Sequence, residues 1–438
     1  MRTVTVFSLA LLAACTTGSD GTTPTNPGTN PGTTAGTGAV DCDGDVCVLS
    51  GTIADDLTLT ADKSWVLRGG VFIGDDEAET VLTIEPGTTV YGESSTDGML
   101  VIRRASKLMA QGTAAAPIVF TSSKQEGERS RGDWGGIIVN GRSTINSCGE
   151  GGSGACEAFG EGGTGFYGGD DESDSSGVFE YVRVEFAGTL LSPDNELNGI
   201  AFQGVGSGTV IDHVQVHMNA DDGIEFFGGT ANAKHILVTG VGDDALDWTD
   251  GWRGKAQHIV LQQYDDAGDQ GIEADNNGEV NEATPRSNPV LSNVTIIGSP
   301  DSASSDLGML LREGTAAELH NVIVAGFNEG CIDIDNDATW AQVGAGLTID
   351  HSITDCAVNY LEDKDETDSV EAWFNAGTGN TEGNAGLADP YNLASPDFTS
   401  TATGGMVPSD GFFDQVDHIG GMAPGDDWTA GWTTSAPN

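Results

Sequence analysis

Two adjacent carboxylates, Asp221 and Asp222, stand three residues ahead of Glu225 in the stretch "ADDGIEFFGG". The same grammar returns 22 residues later in "GDDALDWTDG", with Asp243, Asp244 and Asp247, and again around Asp269 and Glu273 in "GDQGIEA". Carboxylates repeated at this spacing suit two kinds of chemistry. As oxygen donors they bind a hard cation such as calcium, and as an acid and a base they can cleave a glycosidic bond. Zinc and the transition metals prefer nitrogen or sulfur ligands, which this row lacks. The metal candidates are therefore Asp221, Asp243, Asp269, Glu225, Asp247 and Glu273, with calcium as the expected ion. For catalysis the candidates are Asp222, Asp244 and Glu225. Arg253, or Lys255 beside it, is the candidate base if the reaction is an elimination. Trp252, Arg253 and Arg286 are the expected carbohydrate contacts, a ring face for stacking and two guanidiniums for hydrogen bonds.

The elements that must carry these residues are short. From about Val48 onward the chain alternates β-branched and polar residues between Gly, Asp and Pro turns, with hardly a segment of helical period. "IDHVQVH", "AKHILVT", "AQHIVLQ", "LSNVTII" and "LHNVIVA" align as one strand column, and "GIAF", "GIEF", "ALDW", "GIEA", "GMLL" and "GCIDI" as a second. Repeats of 22 to 26 residues, lengthened by loops in three places, predict an all-β fold: a right-handed parallel β-helix. In such a solenoid, equivalent residues of successive coils lie ~4.7–4.9 Å apart. Two carboxylates at that spacing repel by about 0.9 kcal/mol in bulk water and by more where water is excluded. Strand alternation sends Ile224, Phe226, Leu246 and Trp248 inward and leaves Glu225, Asp247 and Glu273 outward. The outward position is acidic on three consecutive coils but holds Ala201 before them and Leu310 after them, which argues for a local site. His213, His235, His258 and His351 share a register with Asn293 and Asn321 and are expected to stack at a turn.

Composition limits the partners. The chain of 438 residues has 67 acidic and 17 basic side chains and a formal charge of −50. That charge repels nucleic acid and anionic lipid and attracts cations. "MRTVTVFSLALLAAC" reads as a targeting segment, residues 1–14, too short to span a bilayer. Its "LAAC" resembles the bacterial lipobox, which implies a lipid on Cys15, anchorage to the outer membrane and exposure at the cell surface. Residues 15–40, rich in Thr, Gly and Pro, are expected to be a disordered tether of roughly 25–30 Å. The other cysteines, Cys42, Cys47, Cys148, Cys156, Cys331 and Cys356, fall into three sequence-local pairs that read as disulfides of an oxidising compartment, although six cysteines allow fifteen pairings. The solenoid is placed at residues 41–356, with insertions at 141–177 and 275–289 that are expected to wall a groove over the acidic strip. Residues 357–438 are expected to cap its open end, with Phe412, Phe413, Trp428 and Trp432 as the covering aromatics. A monomer is expected.

"LTIEPGTTVYG", "KLMAQGTAAAPIVFTS", "GDWGGIIVNG" and the terminal "DGFFDQVDHIGGMAPGDDWTAGWT" resemble a family of bacterial surface lipoproteins with a right-handed parallel β-helix, within the pectin-lyase-like superfamily. The likeness runs from about residue 48 to the end and implies fold and location, without bringing any catalytic residue. The paired aspartates loosely resemble polygalacturonase-type hydrolases, and the acid-plus-arginine grouping resembles pectate lyases. The Gly-His-Gly and Arg-Ile-Lys segments of the first and the arginine-rich strand of the second are missing. The expected function is thus a lipid-anchored, calcium-binding surface protein that engages a polysaccharide or a neighbouring surface. A polysaccharide hydrolase or lyase, and a passive scaffold, are the alternatives.

Overall fold

The structure is a computed structural model that describes residues 38–148, 156–191, 196–300, 302, 304–362 and 369–438. The targeting segment, the lipidation site Cys15 and most of the tether lie outside the described residues. Parallel pairing carries the chain from coil to coil. Val210–His217 pairs with Asn232–Thr239, which pairs with Lys255–Gln262, then Val290–Ile297, then Ala317–Ala325. The short strands Ile200–Gln203, Ile224–Phe227, Leu246–Thr249, Gln270–Ala274, Leu307–Leu311 and Gly330–Ile334 stack in the same way. The fold is a right-handed parallel β-helix.

The long column is two faces rather than one. Pairing skips Tyr181, His213, His235, His258, Asn293 and Asn321, and each of these, like His351, has φ between 51° and 60°. One residue per coil in the left-handed region bends the strand through a corner, and Asn and His tolerate that region better than β-branched residues do. At the corner the rings of Tyr181, His213, His235 and His258 stack at 4.3, 4.2 and 4.9 Å. The His213 and His235 rings place Nδ1 at 2.9 and 2.7 Å from Asp212, and against the upward push of burial the two imidazoles hold its carboxyl far below its ordinary range.

Inward residues of all three faces form one continuous core, with Phe202, Phe226 and Trp252 stacked along its axis at 5.2 and 4.2 Å. A solenoid exposes core and strand edge at both ends. At the first, Ala39–Asp43 folds antiparallel onto Val46–Ile53 and Cys42 bonds to Cys47. At the other, the helix Val370–Ala376 lays Val370, Trp373 and Phe374 on the core, its first turn capped by the Ser369 hydroxyl accepting from the Ala372 N–H at 3.2 Å. Cys331–Cys356 ties the last coils, and Cys148–Cys156 closes part of the first insertion.

The remaining C-terminal chain corrects the capping expectation. It runs back along the solenoid flank toward earlier coils, because outward residues there are apolar. Leu237, Val260 and Ile297 are covered by Phe398 and Met422, and Ile323 by Ile419. The strap is pinned by polar contacts: Asn293 donates to the His418 carbonyl, Gln215 to the Thr434 carbonyl, and Lys234 pairs with Asp414. Trp428 and Trp432 pack on the histidine corner, 5.4 Å from His235 and 5.9 Å from His213, and Phe412 lies 5.1 Å from the Lys234 ammonium. These aromatics cover the side of the solenoid, not its end.

Candidate functional site

The inner aspartates have a structural task that accounts for their repetition. Asp222 accepts the backbone N–H of Asp244 at 3.0 Å, and Asp244 accepts that of Gln270 at 2.6 Å. Each coil's buried carboxylate thus satisfies the turn of the next coil, where a backbone donor away from water would be costly unpaired. Outside them, Asp221, Asp243 and Asp269 form a partly exposed row at the same turn. Glu225, Asp247 and Glu273 pair in register on the short strands, preceded by Ala201 and followed by Leu310 as the sequence pattern requires.

The three rows converge. One ligand atom each from Asp221, Asp222 and Asp243 lies within 4.8 Å of the others. The same holds for Asp222, Glu225 and Asp247, and for Asp243, Asp244 and Asp269. Oxygens on opposite sides of a calcium ion stand about 5 Å apart, twice the metal–oxygen distance, so each group has the dimensions of a coordination shell. Asp222 and Asp243 are shared between groups, which makes a chain of three adjoining sites.

Electrostatics agree with an unmet demand for positive charge. Burial, reinforced by neighbouring carboxylates, pushes Asp221 up to about 7 and Glu161 up to about 8. Burial also raises Glu273 to about 7, against the pull of Arg312, and Asp269 to about 6. Asp222, Glu225, Asp244 and Asp247 are driven well above the ordinary carboxylate range by the same causes, burial first. Among the described residues one cation pairs with the row: Arg312 bridges Glu273 and Asp275, the latter at 3.0 Å. The Oδ1 of Asp247 is buried without a hydrogen-bond partner. A buried carboxylate oxygen with neither donor nor cation is expensive. An oxygen-only cluster with a deficit of positive charge fits a hard divalent cation.

The wall of the site comes from residues that the strand columns do not reveal. Asn198 donates through Nδ2 to Glu225 at 2.5 Å and to Glu161 at 3.3 Å, so the insertion 141–177 reaches over the buried end of the row. Tyr167, from the same insertion, donates to Asp250 at 2.8 Å. The two insertions also meet each other, where Asn146 donates to Asn276 at 2.8 Å. Glu161 sits alone in a Gly-rich loop, and no periodicity marks it. Arg312 was findable: Ala274 pairs with Leu311, so the next residues, Asp275 and Arg312, are a cross-coil acid–base pair one step beyond the aligned columns.

The three expected carbohydrate contacts are placed elsewhere. Trp252 is fully buried; the turn at Gly251, with φ 87°, swings its ring onto Phe226 at 4.2 Å, and its indole donates to the Ala231 carbonyl. Arg253 pairs with Glu172 at 2.8 Å and with Thr144, stapling the first insertion rather than facing the carboxylates. Arg286 is spent on Glu282 and on the carbonyls of Asn281 and Gly314, which join the second insertion to the following coil. Lys255 pairs with Asp410 of the strap. All three cations are claimed because each sits beside an insertion or strap whose polar groups would otherwise be unpaired.

No curated protein and no solved structure matches the chain. A family model described as a pectate-lyase-like β-helix domain matches residues 51–433. That span takes in the coils, the insertions and the strap together, and the chain belongs to the family of pectate-lyase-like β-helix domains.

Proposed function

We propose that the protein binds calcium along the carboxylate row and engages polysaccharide there, held at the outer surface of a cell through a lipid on Cys15. The family ties the chain to polysaccharide-related proteins. The observation that carries the calcium reading is the set of three adjoining carboxylate groups, each within 4.8 Å, served by one arginine among the described residues. The buried group Asp222, Glu225 and Asp247 would hold an ion against the fold. The outer row Asp221, Asp243 and Asp269 would hold ions that still face solvent and can accept oxygens from a sugar. Calorimetric titration of calcium into chelator-treated protein tests this. Saturable binding, accompanied by proton release and lost in Asp221→Asn/Asp243→Asn, is the expected result. Weak binding indistinguishable from charge screening would overturn it.

A hydrolytic reading has one specific observation in its favour. Glu161, held protonated at neutral pH, shares the Asn198 amide with Glu225, at 3.3 and 2.5 Å. Two carboxyls that share one amide nitrogen stand closer than the ~6.5–9.5 Å of an inverting pair, so retention is the geometry they would serve, with Glu225 having to ionise against the burial that raises it. Release of reducing ends from polygalacturonate, abolished in Glu161→Gln, is its test. An elimination is poorly served: Arg253 and Lys255 are turned away, and Arg312 is held still more firmly charged by Asp275 and Glu273 despite its burial, which makes it a poor base.

A further inference from the structure

The hairpin of the first insertion has two unlike faces. Ala158–Phe159 pairs antiparallel with Phe166–Tyr167, in the register Ala158 to Tyr167 and Phe159 to Phe166. Alternation therefore puts one pair on each side. The inner pair is buried against Ile145 and Phe227. The outer pair, Phe159 and Phe166, is 54% and 50% exposed, with ring centroids 5.1 Å apart in an edge-to-face contact. At the hairpin tip, a Cβ on Gly162 would meet the Leu191 and Leu197 side chains at 2.8 and 2.9 Å, so the tip is seated against that segment.

This ledge is continuous with the carboxylate row. Glu161 follows Phe159 by two residues and shares Asn198 with Glu225. The inner face anchors the hairpin to the coils, and the outward phenylalanines, which touch each other across the two strands, leave about half of their surface open to solvent. We infer that Phe159 and Phe166 are a stacking subsite for the sugar rings of a polysaccharide whose oxygens reach the cations of the outer carboxylate row. The inference rests on the polysaccharide reading above and transfers the aromatic role from buried Trp252 to this pair. Sugar rings offer apolar C–H faces and polar edges, which matches an aromatic platform beside carboxylates. A second copy of the chain is a poor occupant, because each copy carries a formal charge of −50.

The test compares the wild type, Phe159→Ala/Phe166→Ala and Phe159→Tyr/Phe166→Tyr in three measurements: calcium titration alone, binding of polygalacturonate and of a neutral β-glucan in saturating calcium, and sedimentation. Exposed positions leave folding intact, checked by unchanged thermal midpoints. The expected result is unchanged calcium binding in all three proteins, about a tenfold or greater loss of polysaccharide affinity in the alanine variant, and retention in the tyrosine variant. Equal affinity in the alanine variant, with wild type binding well, overturns the subsite and leaves the polysaccharide reading standing. Failure of the wild type to bind either polysaccharide sinks that reading and the subsite with it. A wild-type dimer that the alanine variant dissolves would reassign the ledge to self-association and overturn the inference.

Discussion

Chelation followed by a rise in pH should loosen this protein in a way that calcium prevents. Glu161, Asp221 and Glu273 are raised to about 8, 7 and 7 in the folded chain, and their buried neighbours move in the same direction. An unfolded chain returns them to the ordinary carboxylate range, so between about pH 4 and pH 8 the folded state binds more protons than the unfolded state. Stability then falls as pH rises: it is fully present below the unfolded values and is lost through the folded ones. One pKa unit corresponds to ~1.4 kcal/mol, so Glu161 alone sets a scale of several kcal/mol. The contributions do not add, because adjoining carboxylates share a proton and the partly exposed Asp269 is screened by water. A net loss on the order of 5 kcal/mol moves a thermal midpoint by several degrees at least. The assay is a series of melts from pH 5 to pH 8.5 in chelator, in excess calcium, and in sodium chloride of matched ionic strength. Calcium should flatten the slope and add about 2.7 kcal/mol at a hundredfold excess over its Kd. Sodium chloride should relieve general repulsion yet leave most of the slope, because buried carboxylates are poorly screened. A chelated protein whose midpoint is level or rises from pH 5 to 8.5 would refute the reasoning, as would sodium chloride acting as well as calcium.

Three further outcomes follow from the same geometry. Trp252→Ala should cost about 3–5 kcal/mol in denaturant unfolding and leave polysaccharide affinity per folded molecule unchanged, because the ring fills the core beside Phe226. Arg312→Gln should destabilise the chelated protein while tightening calcium binding, since it removes the cation that competes for Glu273 and Asp275; weaker calcium binding in a titration would contradict this. His235→Asn should be tolerated to within about 1 kcal/mol, because Asn293 and Asn321 occupy the same left-handed corner, whereas His235→Val should cost about 1–2 kcal/mol more in melts.

Repetition made the fold legible and also limited what could be read. A strand that recurs every coil announces its register, so the outward placement of Glu225, Asp247 and Glu273 follows from the sequence alone, as does the stacking of His213 on His235. The corner at each histidine was harder to see as a change of face, because inward alternation continues on both sides of it. Trp252 was misplaced because a single left-handed Gly251 reverses the direction of the ring, and a side chain in a turn has no period to betray it. Glu161 and Asn198 come from loops that leave one coil and return over others, and Asn198 stands 37 positions from Glu161 and 27 from Glu225. Nothing local encodes such a contact.

The placement of the insertions and the strap then explains why one strip is open. Outward apolar residues on the long-strand face, such as Val260 and Ile297, require the strap. Outward apolar residues on the early short strands, Ile138 and Ala201, are covered by Leu197, and Phe227 by Ile145 and Tyr167 of the first insertion. The first insertion still covers Glu225, through Glu161 and the Asn198 amide they share, and the cover thins beyond it, where Asp247 and Glu273 are only partly buried. There the turn carboxylates Asp221, Asp243 and Asp269 stay in contact with solvent while their inner neighbours do not. A chain that merely needed solubility would place its charge at random on exposed loops. Here charge accumulates at the edge of a cover, partly desolvated and with one arginine among the described residues to balance it, which is where a cation gains most from coordination and can still reach a ligand.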